Sequence, residues 1–578
     1  MQSIRVWAPA PKKVELAVQE KRIPMERQDG GWWAAELTTL DAGGDYGFVL
    51  DGEGPFPDPR SPCQPNGVDG LSRPVTHKNF VWTDTAWQAP PISSAIIYEL
   101  HIGTFTPAGT FKAAMEKLDH LVDLGITHVE LMPVNEFSGG HGWGYDGVDL
   151  FAPHHACGTP EDLKRLVEAC HLKRLAVILD VVYNHFGPVG NYWAKFGPYA
   201  KDNFSTPWGA AINFDSEHSD EVRRFFCDNA LMWLRDYHFD GLRLDALHAI
   251  VDISAEPFLA QLAGEVKKLE AQLGRHLALI AESDRNDPRL LWSHGRGGFA
   301  LHAHWNDDFH HALHTALTGE KDQYYVDFNG LPDLCKSLQK AYIYDGQFSP
   351  FRKRRQGRVP EGLDGSRFVV FSQNHDQVGN RAFGERNTSL MNSRRLKIAA
   401  ALVLASPFLP MLFQGEEWGA STPFLYFSDH RDPVMAAMVR EGRCREFPSK
   451  APSKIPDPQA PETFTRSKLA WDEISQPRHA ELLDWHKQLI RLRRSNPSLC
   501  DGRMEDVRAR CDERQKWLIL IRGIWTVACN LGEAPVEINL REGAHEIVAS
   551  SEAGIVLAPP KITLPPESVA VLKESVAG

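Results

Sequence analysis

Four short segments place acidic, imidazole and guanidinium side chains directly behind apolar runs. They are Asp180-Val181-Val182-Tyr183-Asn184-His185, Gly241-Leu242-Arg243-Leu244-Asp245-Ala246-Leu247-His248, Ala281-Glu282-Ser283-Asp284 and Phe371-Ser372-Gln373-Asn374-His375-Asp376-Gln377. Taken singly, an acid in such a place is usually a helix cap or half of a surface ion pair. Together they bring carboxylates, imidazoles and an arginine from four remote stretches, which share a site only if the fold gathers them at one rim. Two chemistries fit these residue types. Metal binding is disfavoured, because no His-x-x-x-His or His-Glu-x-x-His pair lies within the four segments and Arg243 would oppose a divalent cation. Catalysis by carboxylates is favoured.

Such an arrangement needs strands whose carboxyl ends share one face. From residue 95 onward compact apolar runs alternate with amphipathic stretches. The candidate strands are 95–98, 128–132, 175–182, 241–244, 277–281, 298–302, 367–371 and 410–413, and the candidate helices include 111–124, 160–171, 220–237, 257–273 and 393–404. Eight alternating units whose strands are apolar throughout predict an α/β fold, a (β/α)8 TIM barrel with its site in the loops behind the strands. A doubly wound sheet is the alternative, but no Gly-rich phosphate turn follows the first strand.

Before the barrel, Ile4-Arg5-Val6-Trp7 and Val14-Glu15-Leu16-Ala17-Val18 alternate between turn formers at Asp29-Gly30-Gly31 and Ala42-Gly43-Gly44-Asp45, which predicts an N-terminal β-sandwich. Gln88 to Ser94 reads as a linker. After strand eight, Leu482, Trp485, Leu489 and Leu492 share one helical face ended at Asn496-Pro497. Alternation then returns at 517–521, 525–528 and 569–572 and predicts a C-terminal β-sandwich domain. The expected division is 1–88, 95–497 and 501–578.

Of the 578 residues 43% are apolar and 24% charged, which is ordinary globular composition. The net charge of −12 argues against nucleic-acid and acidic-membrane partners. Nine scattered cysteines without a Cys-x-x-Cys pair fit a reducing compartment. The opening residues show no secretory signal, and the longest apolar stretch, 398–413, is interrupted by Ser406, Pro407 and Pro410. A cytoplasmic location is expected, and no oligomeric state is assigned.

In order and spacing the four segments resemble the four motif regions of the α-amylase clan of glycoside hydrolases. The resemblance implies Asp245 as nucleophile, Glu282 as general acid/base and Asp376 as the carboxylate that stabilises the transition state. It also implies Arg243, His185 and His375 as holders of sugar hydroxyls and Tyr145, in Gly144-Tyr145-Asp146, as the platform beneath the cleaved sugar. His248, Gln377 and Asn380 join the candidate substrate-binding residues. Within the clan, His304-Trp305-Asn306-Asp307-Asp308-Phe309-His310-His311, Leu412-Phe413-Gln414-Gly415-Glu416-Glu417-Trp418, the stretch from Thr422 to His430 and Arg440-Glu441-Gly442-Arg443 resemble the maltooligosyltrehalose trehalohydrolase family. That implies hydrolysis of the α-1,4 bond next to a terminal trehalose, with maltooligosyltrehalose and related α-glucans as partners. Branching and debranching enzymes of the clan are the alternative.

Recognition of the trehalose end is expected from Asp307, Asp308, His310 and His311, with Phe309 stacking on a ring. The aromatic segment 186–214, with Tyr192, Trp193, Phe196, Tyr199, Phe204 and Trp208, is expected to wall the cleft. Glu416 and Glu417 are assigned structural roles, and Arg352-Lys353-Arg354-Arg355 a solvated loop. No cofactor and no metal ion is expected.

Overall fold

The computed structural model describes residues 2–37, 44–206 and 208–575. Ala42 and Gly43 of the expected N-terminal turn lie outside them. Eight parallel strands close into a barrel in sequential order: β1 (Ile97–Leu100), β2 (His128–Leu131), β3 (Ala176–Val181), β4 (Gly241–Leu244), β5 (Ala278–Ala281), β6 (Ala303–Trp305), β7 (Phe368–Val370) and β8 (Leu409–Phe413). Burial on both faces explains why they read as largely apolar runs. Ile97, Ile178, Ile280, Trp305, Phe371 and Met411 fill the barrel interior.

Strand six is not where the apolar run at 298–302 put it. The amides of Phe299, Ala300 and Leu301 donate back to the carbonyls of Arg289, Trp292 and Leu290, at 2.8 to 2.9 Å, and Ala300 turns at φ 60°. That run closes a local loop, and pairing with β5 begins only at Ala303 opposite Ile280. The expected helix 111–124 is likewise two, Phe111–Met115 and Leu118–Leu124. Thr110 caps the first through its hydroxyl, and Gly125, at φ 95°, ends the second.

Gln2–Trp7, Trp32–Leu37 and Glu26–Arg27 form one N-terminal sheet; Lys21–Pro24, Val14–Val18, Tyr46–Leu50 and Glu53–Phe56 form another. They pack on the barrel through Trp7 edge-on to Tyr199 and Phe48 edge-on to Phe196. At the other end a five-stranded and a three-stranded sheet sandwich Ile519, Val536, Ile538, Ile562, Leu564, Ala570 and Leu572. Arg522 of the larger sheet docks it by donating to the carbonyls of Ala405 and Ser406 at 2.9 and 2.7 Å. No helix among the described residues is long and apolar enough to cross a membrane.

Two features behind the barrel strands shape the site. A hairpin, Asn135–Phe137 with Gly147–Pro153, follows β2 and carries Tyr145 in the loop it encloses. A second hairpin, Ala200–Thr206 with Gly209–Ile212, follows β3 and carries Trp208.

Candidate active site

Asp245 is the first residue past β4 and Glu282 the first past β5, so the ends of adjacent parallel strands deliver both carboxylates to one rim. Ala246 between them adopts a left-handed conformation, φ 42° and ψ 50°, which costs a residue with a Cβ about 1 kcal/mol or more. The turn aims the Ala246 amide at Glu282, where it donates to Oε2 at 2.6 Å, and the Leu247 amide donates to the Glu282 carbonyl at 2.9 Å. Backbone strain at one residue thereby fixes the acid on the next strand.

Arg243 projects into the barrel from β4 and is 0% exposed. Its Nη1 donates to Asp180 Oδ2 and to Asp245 Oδ1, both at 2.8 Å, and its Nη2 lies 3.5 Å from Glu282 Oε2. The guanidinium stands 4.3 Å from the ring centroid of Trp305 on β6, a cation–π contact that partly replaces lost hydration. Asn184 Nδ2 donates to Asp245 Oδ2 at 2.8 Å, so both Asp245 oxygens accept hydrogen bonds.

Burial raises the pKa of Glu282 well above the usual carboxylate range, and the charges of Asp245, Asp307 and Asp376 push the same way against Arg243. Burial also raises Asp180 to about 6. Desolvation disfavours the anion at both residues.

Asn374 caps the short helix His375–Gly379 behind β7 by accepting the Gln377 amide. Asp376, in that helix, reaches toward His375 Nε2 at 3.5 Å and accepts from Asn380 Nδ2 at 3.2 Å. His375 is held from behind by Glu99 of β1, whose carboxylate accepts its amide at 3.0 Å and bonds its Nδ1. Burial opposes the charged imidazole, yet Asp376 and Glu99 raise its pKa to about 9. The protonated Nε2 donates to the Tyr145 hydroxyl at 2.8 Å, and that hydroxyl donates to Asp180 Oδ2 at 2.6 Å. A continuous chain of bonds thus runs from Glu99 through His375, Tyr145, Asp180 and Arg243 to Asp245.

His185 is buried beside Asn184 and faces Trp208, with ring centroids 6.0 Å apart. Trp208 also meets His248 edge-on at 5.9 Å and is 47% exposed. Gln377 accepts from the Tyr324 hydroxyl at 3.1 Å.

The segment behind β6 is not a cluster facing the cleft. Only Asp307 is turned toward the site, where burial and the charge of Asp376 raise its pKa to about 7. Asp308 turns back to accept the amides of Ile343 and Tyr344, at 2.7 and 2.8 Å, and an amide proton of Asn286. Phe309 is 0% exposed and packs against Phe408, so it is closed to a sugar ring. His310 lies against Phe371 and Tyr325, and His311 against Tyr324 and Phe328. Burial holds the pKa of His310 well below its usual value and that of His311 at about 3.

Most of the aromatic segment 186–214 is core as well. Trp193, Phe196 and Tyr199 are buried, Tyr192 packs on Phe56, and Trp208 flanks the cleft. Glu416 accepts from Ser372 Oγ and the Phe413 amide; Glu417 binds Tyr98 and His120. Both are used up in the barrel wall. Arg352, expected in a solvated loop, instead pairs with Asp284 two residues from Glu282. Sequence reasoning left out Glu99, Trp305 and the Ala246 amide. Glu99 had a signal, a carboxylate directly behind the apolar run 95–98.

A family model described as the catalytic domain of alpha amylase matches residues 77–208, and a domain of unknown function, DUF3459, matches residues 502–571. The chain is 47% identical over 566 residues to a malto-oligosyltrehalose trehalohydrolase of Mycobacterium tuberculosis, with 96% of each chain covered. A 1,4-alpha-glucan branching enzyme of Photobacterium profundum matches in part, 34% identical over 256 residues, 40% of this chain and 35% of that one. A solved structure from Salmonella typhimurium superposes with a TM-score of 0.92 at 37% identity and covers 99% of this chain and 97% of that one.

Proposed function

Since the chain belongs to the malto-oligosyltrehalose trehalohydrolase family of α-amylase-type glycoside hydrolases, we propose that it cleaves the α-1,4 bond between a maltooligosaccharide and a terminal trehalose. Trehalose is released, as a step of its biosynthesis. The observation that carries the residue roles is the buried Arg243 guanidinium, bonded to Asp245 and reaching Glu282.

Asp245 is the nucleophile. Its carboxylate attacks the anomeric carbon while Glu282, kept protonated by burial and negative neighbours, gives its proton to the O4 oxygen of the departing trehalose. The Ala246 amide occupies Glu282 Oε2, which leaves the other oxygen to carry that proton. The maltooligosyl ester on Asp245 is then hydrolysed by water whose proton passes to Glu282, with retention of the anomeric configuration. Formation of the ester removes the Asp245 charge that had raised the Glu282 pKa, which suits Glu282 to its second role as base. Asp376 stabilises the positive charge of the transition state and, with His185, faces the cleaved sugar over Tyr145. Arg243 and His375, expected to hold sugar hydroxyls, are buried and bonded and instead keep Asp245 and Tyr145 in place. Asp307 with His248, Gln377 and Asn380 contributes polar contacts around the sugar. The same proposal takes 1–88, 95–497 and 501–578 as domains, which the separate sheets at each end support.

The test compares the purified enzyme on maltotriosyltrehalose and on maltopentaose, with products resolved by chromatography. Fast trehalose release from the first and slow cleavage of the second is expected. Processing of plain or branched glucans without trehalose release would leave a branching or debranching activity instead.

A further inference from the structure

The hairpin behind β2 gathers a second set of titratable groups at its base, away from the carboxylates of the cleft. Glu136 lies on its first strand, and His154 and His155 follow its second. Both imidazoles turn their Nδ1 atoms to one carboxylate oxygen: Glu136 Oε1 is 3.2 Å from His154 Nδ1 and 2.8 Å from His155 Nδ1. The Glu136 side chain is 0% exposed, that of His154 2% and that of His155 27%. Among the described residues, the donor atoms of these three side chains lie within 4.8 Å of one another.

His154 itself and one buried neighbour have polar atoms without hydrogen-bond partners. Neither ring nitrogen of His154 has one, nor does Oδ2 of Asp149, which is buried directly across the ladder from Glu136. An unpartnered buried polar group is destabilising, so the packing alone leaves this corner of the hairpin poorly satisfied. His154 also borders a cavity of about 110 Å³ lined by His101, His141 and Cys157.

We propose that Glu136, His154 and His155 bind one divalent cation of the zinc class, as a staple at the base of the hairpin that carries Tyr145. Two imidazoles and a carboxylate suit zinc and its borderline neighbours, whereas calcium and magnesium take oxygen donors. In a tetrahedral site with bonds of about 2.0–2.1 Å, donors stand about 3.3 Å apart, so the two spacings to Glu136 Oε1 need only a few tenths of an ångström of opening. Binding replaces the hydrogen bond between His155 and Glu136: both imidazoles turn an Nδ1 lone pair to the cation, and the Nδ1 proton of His155 leaves to solvent. Fixing the hairpin base steadies the loop from which Tyr145 reaches Asp180 and His375. The proposal is independent of which glycosidic bond the cleft hydrolyses.

The test uses the full-length enzyme, stripped with a chelator and titrated with zinc against a chromophoric competitor, with bound metal counted by mass spectrometry. One zinc per chain is expected, with thermal unfolding shifted upward on loading. In His155→Asn, whose side chain is partly exposed, the dissociation constant should rise tenfold or more and the zinc-induced shift disappear, while the metal-free variant unfolds as cooperatively as the metal-free parent. Cobalt in the same site should give visible bands without the intense near-ultraviolet charge transfer of thiolate ligation, which separates it from the cysteines. No stoichiometric uptake by the parent, an affinity unchanged in His155→Asn, or a thiolate spectrum would each overturn the proposal.

Discussion

Glu282→Gln is the substitution that separates the roles most cleanly. Glutamine keeps the volume, and its carbonyl oxygen can still accept the Ala246 amide that now binds Oε2 at 2.6 Å, so the turn at Ala246 and the bond network behind it should stand. What is lost is the proton. General acid–base catalysis contributes about 10²- to 10⁴-fold, or about 3–5 kcal/mol of barrier, and kcat/KM on maltotriosyltrehalose should fall by that range. In the parent, the ionisation of Glu282 in the free enzyme sets the alkaline limb of the kcat/KM profile, because burial and the charges of Asp245, Asp307 and Asp376 hold the proton on. In the variant that limb should vanish and leave a low, flat rate. A maltotriosyl fluoride, whose leaving group needs no proton, should recover the first step. Water would then attack without a general base, so the ester should accumulate and appear by intact mass as an adduct on the Asp245 peptide. A loss of less than tenfold, a surviving alkaline limb, or a fluoride no better than the trehaloside would refute the assignment of Glu282.

Tyr145→Phe removes the hydroxyl that bridges His375 and Asp180; denaturant unfolding should show a loss of about 1–3 kcal/mol, and kcat/KM should drop about tenfold. His375 is raised to about 9 in the fold against about 6.5 in the unfolded chain, so its protonation stabilises fully below pH 6.5 and is lost as pH rises through 9. Urea midpoints of the parent should therefore fall between pH 6 and 9, and fall less in Glu99→Gln, where the imidazole loses its buried counter-charge. Phe309→Ala should cost about 3–5 kcal/mol of stability while the ratio of kcat/KM for maltotriosyltrehalose over maltopentaose stays put, since the ring is sealed in the core. Asp307→Asn should do the reverse and move that ratio with little change in unfolding.

The carboxylates were legible for a physical reason. A buried parallel strand reads as an apolar run, its end is marked by the first polar residue, and in a barrel all such ends point one way, so Asp245 behind 241–244 and Glu282 behind 278–281 had their place settled by the pattern. The same rule misplaced strand six, where the apolar run at 298–302 satisfies its backbone against residues 289–292. Local loop bonds and a barrel ladder make the same demand on side chains, and composition does not tell them apart.

Where the expectation failed in the site, it failed by treating neighbours in sequence as neighbours in space. Asp307 to His311 begin a helix, and each step along a helix turns the side chain by about 100°. One of five consecutive residues can face the cleft while the next caps a distant loop and the third enters the core, which is what Asp307, Asp308 and Phe309 do. The cluster at the hairpin base escaped the sequence for the mirror-image reason. A search for paired histidines at helical spacing looks along one element, whereas Glu136 and the adjacent pair His154-His155 converge from opposite sides of a hairpin. Adjacent residues on an extended strand normally point to opposite faces; His154 and His155 reach one carboxylate because the strand has ended at Pro153 and the chain is already turning. Convergence of that kind is a property of pairing and of where strands stop, so it becomes visible only when the two sides of the hairpin are set against each other.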